Sequence, residues 1–593
     1  MGQKHYDFLS NIKRGIMLVL VVILINACLN NNSDKLNSGI NIRELTELNK
    51  CNLDVLGKVW GYLKYYHPTV GSGKYNWDKE LFRIMPFILN SKTSAERNSI
   101  LFNWIDTIPI LVNLESTKSN TVYNNLIGAT ERNQKFDSTK VYIQNADLGW
   151  IDDSLQLGSR LSSILTKIKL LPRPINSYYC SEVEGEGVAK FENEDPYPCK
   201  DLPDVGYRIL GLFRYWNCIQ YYFPYRNLID GGWRSVMLTM LSQFINADNP
   251  LKYELAIKML CSKTCDTHAI FLNSESAIKE KSGSKSPPLL ISYVEGRFVV
   301  KYIFNKEIAK KAGINIGDIL LKVNQIDANK LCSDNLKYIS GSNERAKLRN
   351  FALNDLIVTN YSSIDLTIER EGKVINLNID CEIEGYKNID SDWESDSCFQ
   401  WVAPNILRIF PSKVKTLTVE EIAEKAKSAK GIIIDLRCYP SFYLVDTFGD
   451  FLLSEPRKFV KFSKPIFDKP GTFYLDSPLY VGIKNPAYYS GKVVILVNDS
   501  TQSSAEFHAM AFSTAKRAMI IGSQTAGSDG DITNIVLPGA KYTMISGLGV
   551  YYPDGRTTQR IGVKLDEVVE PSLKGIKDGR DEVLDRAIKI INN

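Results

Sequence analysis

Histidine is scarce, with four residues in a chain of 593. No Cys-x-x-Cys occurs among the eleven cysteines, so the spacing that builds a structural zinc site is missing, and no metal or cofactor is expected. No block of Lys or Arg stands in the body of the chain, and a net charge of +5 is small for this length; nothing points to nucleic acid as a partner. The N-terminal apolar run, Ile16 to Ile25, is short for a membrane span. What remains is ordinary globular material, 44% apolar and 23% charged, long enough for roughly three to five domains.

The N-terminus carries an export signal. Lys13-Arg14 precede the apolar run, and Asn26-Ala27-Cys28 follow it, the order of a basic flank, an apolar segment and a small residue before a cleavage point. Ile25-Asn-Ala-Cys28 resembles a bacterial lipobox, which implies that Cys28 is lipidated and starts the mature chain. Residues 1–28 are then a lipoprotein signal peptide, and 29–42, rich in Asn and Ser, a flexible tether. The expected place is the cell envelope, lipid-anchored, on the periplasmic or surface face of an outer membrane. An uncleaved anchor is the alternative; both put the body outside the cytoplasm. That compartment permits disulfides, although pairing among cysteines such as Cys180, Cys199, Cys261 and Cys265 cannot be read from spacing.

An internal repeat follows. Trp60, Tyr65, Tyr66, Pro68 and Trp77 recur at a constant offset of 156 as Trp216, Tyr221, Tyr222, Pro224 and Trp233, which predicts a duplicated helical module with an aromatic core. The first copy and an irregular connector with strand-like pieces span 43–200. The second copy spans 201–288 and carries Thr267-His268 just past a helix. His67 falls where the second copy has Phe223, against a catalytic role.

Residues 289–382 read as a β-rich unit. Leu289–Val294 and Arg297–Phe304 pair around Glu295-Gly296, and Ala309-Lys-Lys-Ala-Gly313-Ile-Asn-Ile-Gly317-Asp318-Ile-Leu-Leu-Lys-Val-Asn324-Gln325 resembles the PDZ pattern, with Gln325 where that family usually has Gly. The resemblance implies capture of an extended peptide as an added strand, by its C-terminus. Residues 395–593 alternate strand and helix, with Gly431-Ile-Ile-Ile-Asp435-Leu-Arg437 as a buried strand, so the fold class is multidomain α/β.

Inside that last unit, Val493–Val497 predicts a strand buried on both faces. A polar turn, Asn498–Gln502, leads to Ser503-Ser504-Ala-Glu506 at the start of a helix-like run, and Met519-Ile520-Ile521 makes another strand before Gly522. A serine on a tight turn at a helix start suits a nucleophile, because free backbone N–H groups and the positive helix end can hold an oxyanion. A Ser/Thr cap on an ordinary helix is the plainer reading of the stretch taken alone.

Signal, PDZ-like unit, I-I-D-L-R strand, V-N-x-S-x-x-S-x-A-E and I-G-x-x-T-x-G, in that order, resemble the C-terminal processing (tail-specific) serine peptidase family, and most of all its Bacteroidetes-type lipoprotein members. The resemblance implies a crotonase-like (ClpP/crotonase) α/β core and polypeptide substrates. It places the nucleophile on Ser503 and gives one oxyanion donor to the N–H of Ser503 or Ser504. The second donor would come from the loop after Asp435, which normally ends in glycines and here reads Cys438-Tyr-Pro-Ser441.

Many members carry a base lysine directly after the T-x-G triplet, where this chain has Ser528. A second branch, resembling the tricorn core protease, uses a Ser-His pair from an earlier segment and a late Glu. Asp266-Thr267-His268 fits that segment with Thr267 for Ser, and the late Glu maps to Gln559, which can hydrogen-bond but carries no charge. The expected mechanism is therefore Ser503 with His268 as general base, Thr267 and Gln559 as orienting groups, and Ser504 and Ser441 at the oxyanion hole. His508 lies on the nucleophile helix and points elsewhere. The competing reading is a catalytically silent, PDZ-containing peptide-binding lipoprotein, favoured by the missing lysine, by Gln559 and by the glycine-free loop; an acyl-CoA-type crotonase enzyme fits poorly with export.

Overall fold

The computed structural model describes residues 36–593, except 43, 111–140, 175–176, 200, 273–275, 384–396 and 416–417. The signal segment and Cys28 lie outside the described residues. No helix among those described is long and apolar enough to cross a membrane.

The N-terminal body is helical. Helices α1 (Glu47–Tyr66), α2 (Trp77–Asn90), α3 (Ser154–Lys169) and α4 (Val205–Tyr222) surround a core that includes Trp60, Trp77, Trp216 and Trp233, all buried. Each repeat makes the same reciprocal indole-to-carbonyl pair: Trp60 with Trp77 at 3.0 and 2.9 Å, and Trp216 with Trp233 at 3.0 and 2.9 Å. Helix α3 corrects the reading of its segment as irregular. Asp153 caps a first turn that buries Leu157, the backbone breaks at Gly158 (φ 70°), and Leu161, Leu165 and Ile168 beyond it are buried, a helical spacing that sits among polar residues. The tether is also shorter than expected: Ile40 is buried, and Ser38 binds Asp204, the cap of α4, through its own hydroxyl at 2.7 Å.

The helical body is not separate from the C-terminal unit. Its apolar core continues into Ile535, Leu537 and Ile545, on the hairpin Ile532–Leu537 and Lys541–Ser546. The short strand Phe271–Leu272 pairs antiparallel with that hairpin, Phe271 opposite Thr543. This join carries the Asp266-Thr267-His268 segment onto the C-terminal unit.

Residues 289–382 form a sheet from β1 (Leu289–Val294), β2 (Arg297–Ile303), β3 (Ile319–Val323), β4 (Ser363–Arg370) and β5 (Lys373–Asp380), in the order β5-β4-β3-β2-β1. Strand β1 is an edge, and helix α5 (Glu344–Asn354) packs beside it. Gly313 caps the preceding short helix in the left-handed region at φ 75°, as its sequence position requires. The turn after β3 holds Asn324 at φ 46° and Gln325 at φ 69°. Two consecutive positive φ values are why glycine is favoured there, and Gln325 adopts the conformation at a cost.

The C-terminal unit is built on one sheet in the order β6 (Phe399–Ala403), β7 (Ile406–Ile409), β8 (Gly431–Asp435), β9 (Lys492–Val497), β10 (Ala518–Gly522) and β11 (Glu567–Val568). All pairs are parallel except β6 with β7. The consecutive apolar residues of β8 and β9 serve both faces: Ile432, Ile434, Val493 and Ile495 enter one core, and Ile433, Val494 and Leu496 the other, beneath the C-terminal helix Glu582–Asn592. Two-sided burial is what a parallel sheet demands. After β9 the chain turns through Asn498–Gln502 into helix α6 (Ser504–Phe512). A second sheet packs the inserted strands Arg457–Pro465, Thr472–Leu475 and Leu479–Val481 with Val141–Gln144 and Gly549–Tyr551.

Candidate active site

Ser503 occupies the cap position of α6 at φ 54°, ψ −123°, a backbone conformation that a residue with a Cβ adopts only under constraint. The constraint is a set of bonds to the loop after β10. The Ser503 N–H donates to the Ser528 carbonyl at 2.9 Å, and the Ala526 N–H donates to the Thr501 carbonyl at 3.0 Å. The side chain of Ser503 is half-buried at the mouth of the turn.

Glu506, one turn into α6 and buried, holds the same loop from below. Its carboxylate accepts the Thr525 hydroxyl and the Gly527 and Ser528 N–H groups, the last two at 2.9 Å each. Burial raises its carboxyl above the usual carboxylate range, and these donors offset only part of that shift.

His268 is buried beside the other side of that loop. Its Nδ1 lies 2.9 Å from the Ser546 hydroxyl and 3.0 Å from the Ser528 hydroxyl. Burial holds the imidazole below its ordinary pKa of 6.5, and the Asp266 charge opposes that effect. Asp266, with no exposed surface, is the centre of the cluster. Its Oδ1 accepts the Ser528 hydroxyl at 2.7 Å, the Ser546 hydroxyl at 2.9 Å, the His268 backbone N–H at 3.2 Å and Gln559 Nε2 at 3.3 Å. Its Oδ2 accepts the Ser546 N–H at 2.7 Å.

Ser528 therefore touches both halves: its carbonyl holds the Ser503 backbone and its hydroxyl meets His268. The residue after the Thr525-Ala526-Gly527 triplet is a small connector between the expected nucleophile and the expected base.

The other expected site residues are placed differently. Thr267 does not meet the imidazole in the described contacts. It forms a reciprocal pair with Ser342, N–H to hydroxyl each way at 2.8 and 2.9 Å, and its hydroxyl reaches the Ala526 carbonyl at 3.3 Å. Gln559 reaches Asp266 rather than His268, and its Oε1 is buried with no partner among the described residues. Ser441 is corrected: its N–H donates to the Pro411 carbonyl at 3.1 Å and its hydroxyl to Pro411 and Val414, so neither group is presented to an oxyanion. The Ser503 N–H is likewise committed, to Ser528. Ser504, the first residue of α6, is left in a position to donate from the positive helix end.

His508 is a structural link. Its Nε2 accepts the Leu444 N–H at 2.8 Å and its Nδ1 donates to the Ser504 carbonyl, and burial lowers it to about 4. No group of three or more His, Cys, Asp or Glu among the described residues could hold a metal ion, and the described cysteines are free thiols.

The sequence reading gave no role to Asp266, Ser546 or Glu506. Asp266 is two residues from His268, a local signal. Ser546 has none, because only the pairing of Phe271–Leu272 with the distant hairpin brings it near.

Ser503 thus stands half-buried on a strand–turn–helix junction at the end of a parallel strand, and Ser528 contacts both its backbone and the buried His268. Residues 454–569, which include Ser503, Ser528 and Gln559, match Peptidase family S41. The carboxy-terminal-processing protease of Bartonella bacilliformis is 25% identical over 343 residues, covering 54% of this chain and 70% of that protein. Mature CPAF matches the structure at a TM-score of 0.51 with 15% identity, over 66% of this chain and 98% of its own. Its complex with lactacystin matches at 0.50 with 14% identity, over 65% and 98%. Residues 454–569 thus resemble peptidase family S41 and the chain is similar to the C-terminal processing proteases, which supports a serine peptidase of mixed α/β, multidomain build.

Proposed function

We propose that this peptidase cleaves unfolded or C-terminal polypeptide segments with Ser503 as nucleophile and His268, not a lysine, as general base. The observation that carries the reading is the double hold of Ser528, 2.9 Å from the Ser503 N–H and 3.0 Å from His268 Nδ1. The imidazole removes the Ser503 proton as the hydroxyl attacks the scissile carbonyl, and the Ser504 N–H at the helix end receives part of the developing negative charge. The protonated imidazole then returns the proton to the leaving amine, and water repeats the sequence on the acyl-enzyme.

Substrate entry has a physical route. A cleft of about 880 Å³ runs from Leu290, Ser292 and Tyr293 on edge strand β1, past Leu348 on α5, to Asn498 and Asp499 of the nucleophile turn. An edge strand with unpaired backbone groups accepts an extended peptide as one more strand, which supports reading residues 289–382 as a PDZ-type unit. Helix α5 also touches the catalytic loops. Asn343 at its cap donates to the Thr525 carbonyl at 2.9 Å, and Arg349 donates to Gln502 at 2.9 Å. Lipid anchoring through Cys28 at the cell envelope belongs to the same proposal; Cys28→Ser that still fractionated with membranes would remove it.

The deciding experiment is peptide cleavage and fluorophosphonate labelling by the wild type, Ser503→Ala and His268→Ala. Loss of cleavage in both variants, with labelling lost in the first, is expected. Cleavage retained by either variant would break the mechanism. A wild type that binds peptides yet never labels would instead be the silent peptide-binding protein, the reading that Gln559 in place of a carboxylate favours.

A further inference from the structure

We propose that Asp266 is the positioning carboxylate of this peptidase, acting on His268 through the hydroxyls of Ser528 and Ser546. The inference rests on the Ser503–His268 reading above and supplies what that reading lacks, a group that fixes the base. In the expected arrangement that task fell to Thr267 and Gln559, and neither meets the imidazole.

The argument is a count of protons. Asp266 Oδ1 lies 2.7 Å from the Ser528 hydroxyl and 2.9 Å from the Ser546 hydroxyl. Five donors converge on the two oxygens of this carboxylate, which accepts and does not donate. At those distances each hydroxyl must turn its proton toward Asp266, since otherwise two lone pairs would face each other in a buried site. A serine hydroxyl has one proton. Once it is given to Asp266, the oxygen can only accept. The two serine oxygens lie 3.4 Å apart, but with both protons spent on Asp266 neither can donate to the other, so the donor left to each is His268 Nδ1, at 3.0 and 2.9 Å.

Nδ1 therefore carries the hydrogen, shared between two oxygens, and Nε2 carries the lone pair. That is the tautomer a general base needs if Nε2 faces the nucleophile. The same chain acts after proton transfer: the imidazolium charge at Nδ1–H is felt by the Asp266 carboxylate through two polarised hydroxyls. A direct carboxylate–imidazole contact is replaced by a two-legged relay in which either serine alone maintains part of the effect.

Gln559 fits the scheme. Its Nε2 donates to Asp266 Oδ1 at 3.3 Å, so it orients the carboxylate. A Glu at this position would set a second negative charge against Asp266, which gives a physical reason for an amide where relatives of the second branch carry an acid.

The test uses the full chain with histidine-selective 15N labelling, which four histidines make tractable. In the wild type the His268 signals, assigned by His268→Ala, should report hydrogen on Nδ1 and a bare Nε2. Asp266→Asn can donate from its amide to one hydroxyl, which then turns its proton to Nδ1. The tautomer should shift to Nε2–H, and kcat/KM should fall by about 10³ to 10⁴, the scale of the wrong-tautomer effect in Ser-His-Asp enzymes. Ser528→Ala and Ser546→Ala should each cost less than the pair together, and Asp266→Asn should cost little more when added to the pair.

An unchanged tautomer in Asp266→Asn, or kcat/KM within threefold of wild type in the folded alanine pair, would overturn the relay. Should Asp266→Asn fail to fold, the alanine pair decides by the same two readouts. If His268→Ala keeps its activity, the Ser-His reading fails instead; the tautomer still tests the relay, because it is measured without turnover.

Discussion

The Ser503 N–H is bonded at 2.9 Å to the carbonyl of Ser528, so the expected nucleophile is braced by the residue that follows the Thr525-Ala526-Gly527 triplet. The brace rests in turn on Glu506, whose carboxylate takes the neighbouring N–H groups of Gly527 and Ser528. Glu506→Gln would turn an amide NH₂ toward one of those donors and leave it unpaired in a buried site, at a cost of about 1–3 kcal/mol. The variant should melt earlier and lose activity mainly in kcat, read by calorimetry and steady-state kinetics. Wild-type kcat at saturating peptide would show that the brace is not needed.

The pH profile follows from the surroundings of His268. Burial lowers its pKa from 6.5 and Asp266 partly restores it. A base is active when unprotonated, so the acid limb of kcat/KM should fall below pH 6.5, with activity complete at neutrality. A profile on a cleaved peptide ester checks this, and an acid limb above pH 7 would contradict it.

The parts of the fold with local causes were legible in the sequence. Consecutive apolar residues in Gly431–Asp435 and Lys492–Val497 follow from burial on both faces, and Gly313 marks a left-handed helix end. The aromatic repeat is legible as a constant offset of 156, and Trp60 with Trp77 and Trp216 with Trp233 make the same reciprocal indole-to-carbonyl pairs 17 residues apart. The site was legible only in halves. Ser503 stands in a recognisable stretch, but the contacts of His268 depend on where Phe271–Leu272 docks, and that docking brings in Ser546 from 278 positions away. Ser441 was misplaced because its loop folds back onto Pro411 and Val414 instead of facing the nucleophile.

Acid should destabilise the protein through its buried histidines. His67 and His508 are each lowered to about 4 by burial, whereas unfolded histidine titrates near 6.5. Between those values the unfolded chain binds more protons, so the stability they contribute is present above pH 6.5 and is lost as pH falls toward 4. The loss is about 1.4 kcal/mol per pH unit for each site. His67 Nδ1 has no partner among the described residues, and the repeat places Phe223 at the equivalent position. His67→Phe should therefore lose about 2 kcal/mol less than wild type between pH 7.5 and 5. Equal losses in urea titrations at the two pH values would exclude His67 as a contributor.

The repeat makes a sharper prediction where its two copies meet. Gly61 and Asn217 are equivalent positions at the offset of 156, and they face each other: a Cβ on Gly61 would lie 1.9 Å from Asn217 Cγ. Gly57 and Phe213, also equivalent, are apposed in the same way, with a Cβ on Gly57 at 2.6 Å from the Phe213 ring. Helices α1 and α4 thus cross about a local pseudo-dyad at which one member of each pair has to be small. Asn217 cannot yield easily, because its Nδ2 donates to the carbonyls of Gly57 at 3.1 Å and Phe213 at 2.8 Å. Gly61→Ala should cost about 1–3 kcal/mol by overpacking and lower the melting temperature. Asn217→Gly should cost stability by itself, through lost hydrogen bonds and a void. Combined with Gly61→Ala it should cost less than the sum, because the methyl then enters the vacated space. A double-mutant cycle in thermal melts measures the coupling, and strict additivity would mean that the two positions do not share the volume.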